Sequence, residues 1–198
     1  MRVLNPEIAA TAARLVVEEG LKYGPAKRRA VRQMGLSART SLPGNDEIEE
    51  AVRDYIETFC AETQPAELAA LRRLALSWME RMQGFRPYLA GAVWHGTATR
   101  LSDVHIQLFC DDPKSAEIAL IDHRVDFEPH SVRGIHGEAV EALSISSLCR
   151  ELDEMVGLHF IVYDLDDLRG ALKPDANGRT PRGDTASVRR LLEQGAPG

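Results

Sequence analysis

The chain has 198 residues, a net charge of −6, 44% hydrophobic and 27% charged residues. These proportions exclude a collagen-like repeat, a disulfide scaffold and a disordered polymer, and the acidic balance excludes a protein bound to nucleic acid over its whole surface. Three widely spaced cysteines, Cys60, Cys110 and Cys149, form neither a disulfide framework nor a CxxC metal knuckle. No stretch approaches the roughly 20 apolar residues of a membrane span, and the first residues lack the apolar run of a signal peptide. The expectation is a soluble cytoplasmic protein with no membrane partner. Its oligomeric state is not legible.

In chain order, the first half reads as helices. Asn5 is placed to cap a helix with Pro6 at its first position and an apolar stripe of Ile8, Ala12, Leu15 and Val16 that stops at Gly20. Pro25 opens a basic helix, AKRRAVRQMG, and Asn45 is expected to cap a third, in which Ile48, Val52, Tyr55, Ile56 and Phe59 recur at helical spacing. Pro65 starts a fourth helix that runs to Gly84.

The texture changes after Pro87. AGAVWHG reads as a short buried strand and DVHIQLFC as a strand with partial alternation. A short helix is expected from about Lys114 to Arg124, then strands at VDFEP and SVRGIH with a hairpin around His130. LHFIVYD reads as a strand and DLDDLRGALK as a helix; PDANGRTPRGD reads as a loop or exposed arm, and ASVRRLLEQ as a closing helix. The fold class is therefore α+β, a helical N-terminal half packed on a small mixed sheet, with residues 1–64 as a helical extension and 65–198 as the core.

The stretch from Gly91 to Ile106 carries the chemistry. Its order is a strand, Gly91-Ala-Val-Trp-His-Gly96, the five-residue loop Thr97 to Leu101, then Ser102-Asp103-Val-His105 on the next strand. This pattern resembles the signature of the nucleotidyltransferase superfamily that includes DNA polymerase beta and the small bacterial antibiotic-modifying nucleotidyltransferases, and it is similar in style to a proteobacterial branch of it. Gly91 and Gly96 fall on the two signature glycines, and Ser102-Asp103 on the Ser-Asp. The resemblance covers roughly residues 65 to 128.

The departures are specific. Ala92 stands where the superfamily has a serine, His95 replaces an arginine, and His105 replaces the second carboxylate. Residues i and i+2 of a strand share a face, so two aspartates there would present paired oxygens to hard divalent cations. The resemblance implies a divalent metal, magnesium or manganese, held by Asp103, His105 and a third group, for which Asp126 is the first candidate and Asp164 the second. It implies a nucleoside triphosphate bound at Gly91, Gly96, Thr97 and Ser102, and transfer of a nucleoside monophosphate to a hydroxyl on a small molecule, RNA or protein, with Asp103 and His105 as catalytic residues. The alternative is a catalytically silent relative that binds a nucleotide or a protein; the imidazole at position 105, which lacks both charge and oxygen, motivates it.

Other constellations are weaker. His95, His105, His123, His130 and His136 fall within a short span but lack metal-ligand spacing. Lys22, Lys27, Arg28, Arg29, Arg32 and Arg39 make a basic cluster that reads as a solvated helix or an RNA-contacting face. Pro43 cuts short any recognition helix that would follow AVRQMGLSART. Arg169, Lys173, Arg179 and Arg182 surround the late loop and either reach a triphosphate or keep an exposed arm soluble. Cys110 reads as a core thiol.

Overall fold

The computed structural model describes residues 4–174 and 178–195. The chain divides into two compact units: one holds the residues up to Ala66 together with Thr97–Leu101, and the other holds Glu67–Gly96 and the residues from Ser102 onward.

The first unit is built from α1 (Leu4–Glu19), α2 (Tyr23–Gln33) and α3 (Asn45–Phe59). Each helix contributes one apolar stripe to a common core: Ile8, Ala12 and Leu15 from α1, Ala26, Ala30 and Val31 from α2, and Ile48, Val52 and Ile56 from α3. The cap of α3 is Gly44 rather than Asn45, and the Gly44 amide donates to the Glu47 carboxylate at 2.6 Å. Asn45 is thereby freed to accept from the buried Lys27 ammonium at 2.7 Å. The loop Thr97–Leu101 belongs to this unit. Gln64 donates to the Ala98 carbonyl at 2.8 Å, and Gly20, at φ +67°, lies against Leu101.

The second unit holds most of α4 (Gln64–Arg81) and a six-stranded mixed sheet. Its strands are β1 (Tyr88–Ala90), β2 (Val104–Cys110), β3 (Glu128–Arg133), β4 (Ala139–Cys149), β5 (Glu154–Asp164) and β6 (Arg182–Asp184), in the spatial order β3-β4-β5-β2-β1-β6. Only β2 and β5 run parallel; the other pairs are antiparallel. α5 (Gly91–His95) and α6 (Lys114–Asp122) flank β2 in sequence, while α7 (Leu168–Ala171) and α8 (Thr185–Gln194) follow β5 and β6.

Alternation divides the sheet into two faces. Ile106, Leu108, Leu158, Phe160, Leu143 and Ile145 are buried on one. α4 packs there, with Trp78 edge-on to Phe160 at 5.8 Å and its indole N–H donating to Ser147 at 2.9 Å. On the other face Phe109 stacks on Tyr163 at 5.4 Å, Tyr88 meets Phe109 edge-on, and Ala171 and Leu168 close this cluster. That cluster occupies only the half of the second face near the end of β2. The half near its start carries polar side chains.

Several elements differ from the sequence expectation. Gly91–His95 is a helical turn, since Gly91 leaves the strand at φ +68° and Gly96 ends the turn at φ +85°. The hairpin turns at Gly134–Glu138, not at His130, which lies inside β3. β4 was not expected at all, because the serines of ALSISSLC dilute its apolar signal. Arg182–Asp184, expected in a loop, pairs with β1. Part of the late loop, 175–177, lies outside the described residues. Among the described residues no helix is long and apolar enough to cross a membrane.

Two outcomes follow from this packing. Phe160→Ala empties a fully buried site between the sheet and α4 and lowers unfolding free energy by about 3–5 kcal/mol, measured by denaturant titration. Asp184 caps α8 by accepting from the Ser187 amide at 2.8 Å; the Ser187 hydroxyl and amide hold its carboxyl below the usual carboxylate range. A depressed folded value gives stability that is complete above the unfolded value and lost as pH falls through the folded one. Asp184→Ala therefore costs about 1 kcal/mol at neutral pH, and the gap between variant and parent closes in acid.

Candidate functional site

The site is a row across the sheet. Direct pairing places Arg182 opposite Ala90, Ala90 opposite His105, His105 opposite His159, His159 opposite Ser144 and Ser144 opposite Glu128. Directly paired residues share a face, so Arg182, His105, His159, Ser144 and Glu128 all stand on the half-covered face, about 4.8 Å apart strand to strand. Asp103 lies two residues before His105 and joins the same face.

Contacts within the row are close. The Asp103 Oδ2 lies 3.2 Å from the His159 Nε2, and the His159 Nδ1 lies 2.6 Å from the Ser144 Oγ. The His105 and His159 rings are 5.0 Å apart, and His130, two residues along β3 from Glu128, meets His159 edge-on at 6.1 Å. The His159 side chain is 17% exposed and that of Asp103 37%, so the group is sheltered yet reachable. Gly157 makes room for it: a Cβ there would sit 2.5 Å from the Asp103 Oδ1 and 3.1 Å from its Cγ.

The glycine turn is fastened from α4. Arg72 donates from Nε to the Val93 carbonyl at 3.1 Å and from Nη2 to the Trp94 carbonyl at 3.2 Å, so it satisfies carbonyls near the end of α5. Burial lowers the Arg72 pKa. The Trp94 indole donates to the Thr180 carbonyl at 2.7 Å and lies tight against Gly183, which ties the late loop to the turn.

Arg182 is the least satisfied cation of the row. Its Nε and Nη1 are buried and make no hydrogen bond among the described residues, and the same holds for the Oε1 of Gln107, two residues along β2 from His105. Burial pulls the Arg182 guanidinium below the usual arginine range, an effect only partly opposed by Tyr163.

The structure brings together Asp103 and His105, and it sets Gly91 over the His105 ring, with a notional Cβ at 3.7 Å from Nδ1. Ser102 directly precedes Asp103, and Gly96 closes α5. Thr97, which follows Gly96, is 3% exposed and is grouped with the first unit. Asp126 is exposed on the segment entering the edge strand β3, which β4 and β5 separate from β2. Asp164 points to the opposite face from His159 and accepts from the Asp166 amide at 2.9 Å. The third neighbour of Asp103 and His105 is thus an imidazole rather than a carboxylate. Among the described residues no three His, Cys, Asp or Glu side chains are grouped to hold a metal ion. One carboxylate already engaged by His159, beside two imidazoles, does not fit a pair of magnesium ions, which want several anionic oxygens.

Sequence reading missed His159, Ser144 and Arg72, and it allowed Arg182 only as part of a loop. The signal for His159 was present: Leu158, Phe160 and Val162 are the apolar alternates, which turns His159 to the other face. Elsewhere, the basic cluster of the first unit is partly consumed by internal contacts. Lys27 is buried on Asn45, and Arg29 pairs with Glu19 at 2.5 Å. Among the other histidines, His136 lies 3.5 Å from Asp167 in the β3–β4 turn, and His123 is exposed after α6.

No protein-family profile matches the chain. No curated protein matches it. Among solved structures it is similar to the Cid1 poly(U) polymerase with MgGTP bound, at 11% identity and a TM-score of 0.37 over 57% of this chain. The match spans 38% of that polymerase, well under two thirds of its length.

Gly157→Ala tests the close approach of β5 to Asp103. Because the added methyl meets a carboxylate oxygen at 2.5 Å, Asp103 must swing away from His159. The variant is expected to lose the Asp103–His159 contact, seen as a changed His159 imidazole resonance in NMR, and to be destabilised by about 1–3 kcal/mol.

Proposed function

We infer that the second unit is a nucleotidyltransferase-like module that binds the phosphates of a nucleoside triphosphate on the face of Asp103, His105, His159 and Arg182, and that it does not transfer the nucleotide. The observation that carries this reading is the pair of buried, unbonded nitrogens, Nε and Nη1, of Arg182 on the row of His105. Buried N–H groups left without a partner cost free energy, and an anion that accepts from both would offset that cost. Phosphate oxygens match the arginine fork, and the His105 imidazole stands on the same row. The Gly91 turn between β1 and β2 adds support, since it has the order of elements that the sequence resemblance implies.

Transfer asks for more than binding. Phosphoryl chemistry of this type relies on metal ions that neutralise charge on the attacking and leaving oxygens, and paired carboxylates hold them. Here the positions beside Asp103 are His105 and His159. The cytoplasm, with its pool of nucleotides, is the compartment this reading needs.

Thermal shift with each nucleoside triphosphate tests the reading directly. Ligands that bind only the folded chain raise its melting temperature, by about 2.7 kcal/mol of stability at a hundred times Kd. Arg182→Met is expected to lower nucleotide affinity at least about ten-fold while raising the stability of the free protein, because it removes two buried N–H groups that lack a partner. Triphosphates labelled at the α-phosphate should leave no label on protein, RNA or small hydroxyl acceptors with magnesium or manganese. Unchanged affinity in Arg182→Met would refute the binding site, and label transfer by the unaltered protein would refute its silence.

A further inference from the structure

We propose that Asp103, His159 and Ser144 form a proton relay that makes Ser144 a nucleophile toward activated acyl esters. Its assay requires no nucleotide. The three side chains stand in line across neighbouring strands, with 3.2 Å between the Asp103 Oδ2 and the His159 Nε2 and 2.6 Å between the His159 Nδ1 and the Ser144 Oγ.

The direction of the proton follows from the donor inventory. An ionised carboxylate only accepts, so Asp103 selects the tautomer in which the His159 Nε2 carries the hydrogen. Nδ1 is then the basic nitrogen, and the Ser144 hydroxyl donates to it. His130 reinforces this polarity. Its Nδ1 lies 3.4 Å from both the Glu128 carbonyl and the Ser144 Oγ. The carbonyl can only accept, so an N–H on Nδ1 faces both oxygens and leaves the serine proton to His159. Ser144 uses Nδ1 and the carboxylate uses Nε2, the reverse of the usual serine-hydrolase order, but the roles of base and orienting group are the same.

The reaction this arrangement supports balances without a further reactant. The Ser144 oxygen attacks the ester carbonyl carbon as its proton passes to the His159 Nδ1. The carbon–oxygen bond to the leaving group then breaks, and the leaving alkoxide or aryloxide takes that proton from Nδ1. The product is an acyl-Ser144, with His159 neutral again and Asp103 ionised throughout. Up to Ser144, β4 is flanked by β3 and β5 on its two sides, so the amides of that stretch are committed to the sheet and offer no oxyanion hole. That limits the substrate class to esters with good leaving groups, such as aryl esters, and makes one acylation per chain the expected yield before slow release.

The test uses the full chain and p-nitrophenyl acetate without nucleotide. Expected is a burst of one p-nitrophenolate per chain, with the acetyl group on Ser144 by peptide mass spectrometry. Ser144→Ala abolishes that burst. His159→Ala slows acylation by about 10²-fold or more, the usual worth of a general base, and added imidazole restores the rate, which also shows the variant is folded. Asp103→Asn, a change at the positioning residue, lowers the maximal rate without changing the ester concentration that gives half of it. An acetyl group found only on other residues, an undiminished burst in Ser144→Ala, or a wild-type rate in His159→Ala without imidazole would overturn the proposal. Each of those results leaves the nucleotide-binding reading standing, since no nucleotide is present.

Discussion

The parallel pairing of β2 with β5 is the constraint on which the site depends. It sets His105 opposite His159 and Val104 opposite Leu158 with no slip. A shift of one residue would exchange the faces of an entire strand, burying His159 among the apolar side chains under α4 and exposing Phe160. The register is therefore held by the cost of that exchange. Leu158, Phe160 and Val162 on one strand and Val104, Ile106 and Leu108 on the other are all buried, so the apolar face fixes what the polar face presents. The chemistry of the row is a consequence of packing on the opposite side of the sheet.

The same logic explains how much could be read from sequence. Helices α1, α3 and α4 were legible because their apolar stripes repeat over three or more turns, and α2 because Pro25 and Gly35 lie near its ends. Asp103 and His105 were legible as a pair because the spacing i, i+2 is a local property of one strand. What joins them is not local. His159 lies 54 positions beyond His105 and reaches it only through the β2–β5 register, and Ser144 only through a strand whose serines obscured it. A search shaped by paired carboxylates looked for Asp126 and Asp164 and passed over the imidazole between them. Arg182 was named only as part of a loop, because Pro181 and Gly183 read as turn residues, although a short edge strand tolerates both.

Two glycines show how closely the backbone is fitted to this face. Gly91 is required by its φ of +68°, which turns the chain out of β1. Gly157 is required for another reason, since its backbone is ordinary and the missing Cβ is what lets the Asp103 carboxylate lie against β5. Without that approach the carboxylate could not reach the His159 Nε2. The position thus couples a feature of β5, invisible to any motif, to the residue that the motif places first.

Arg182 and the Ser144 relay make opposite demands on the same row. Two guanidinium nitrogens of the half-buried Arg182 are left without a hydrogen-bond partner among the described residues, which costs folding free energy. The relay by contrast is internally satisfied: each hydrogen-bonding group of His159 has a partner, and removing any one leaves another exposed to a desolvation cost. An anion drawn to Arg182 would approach along the row toward His105 and His159.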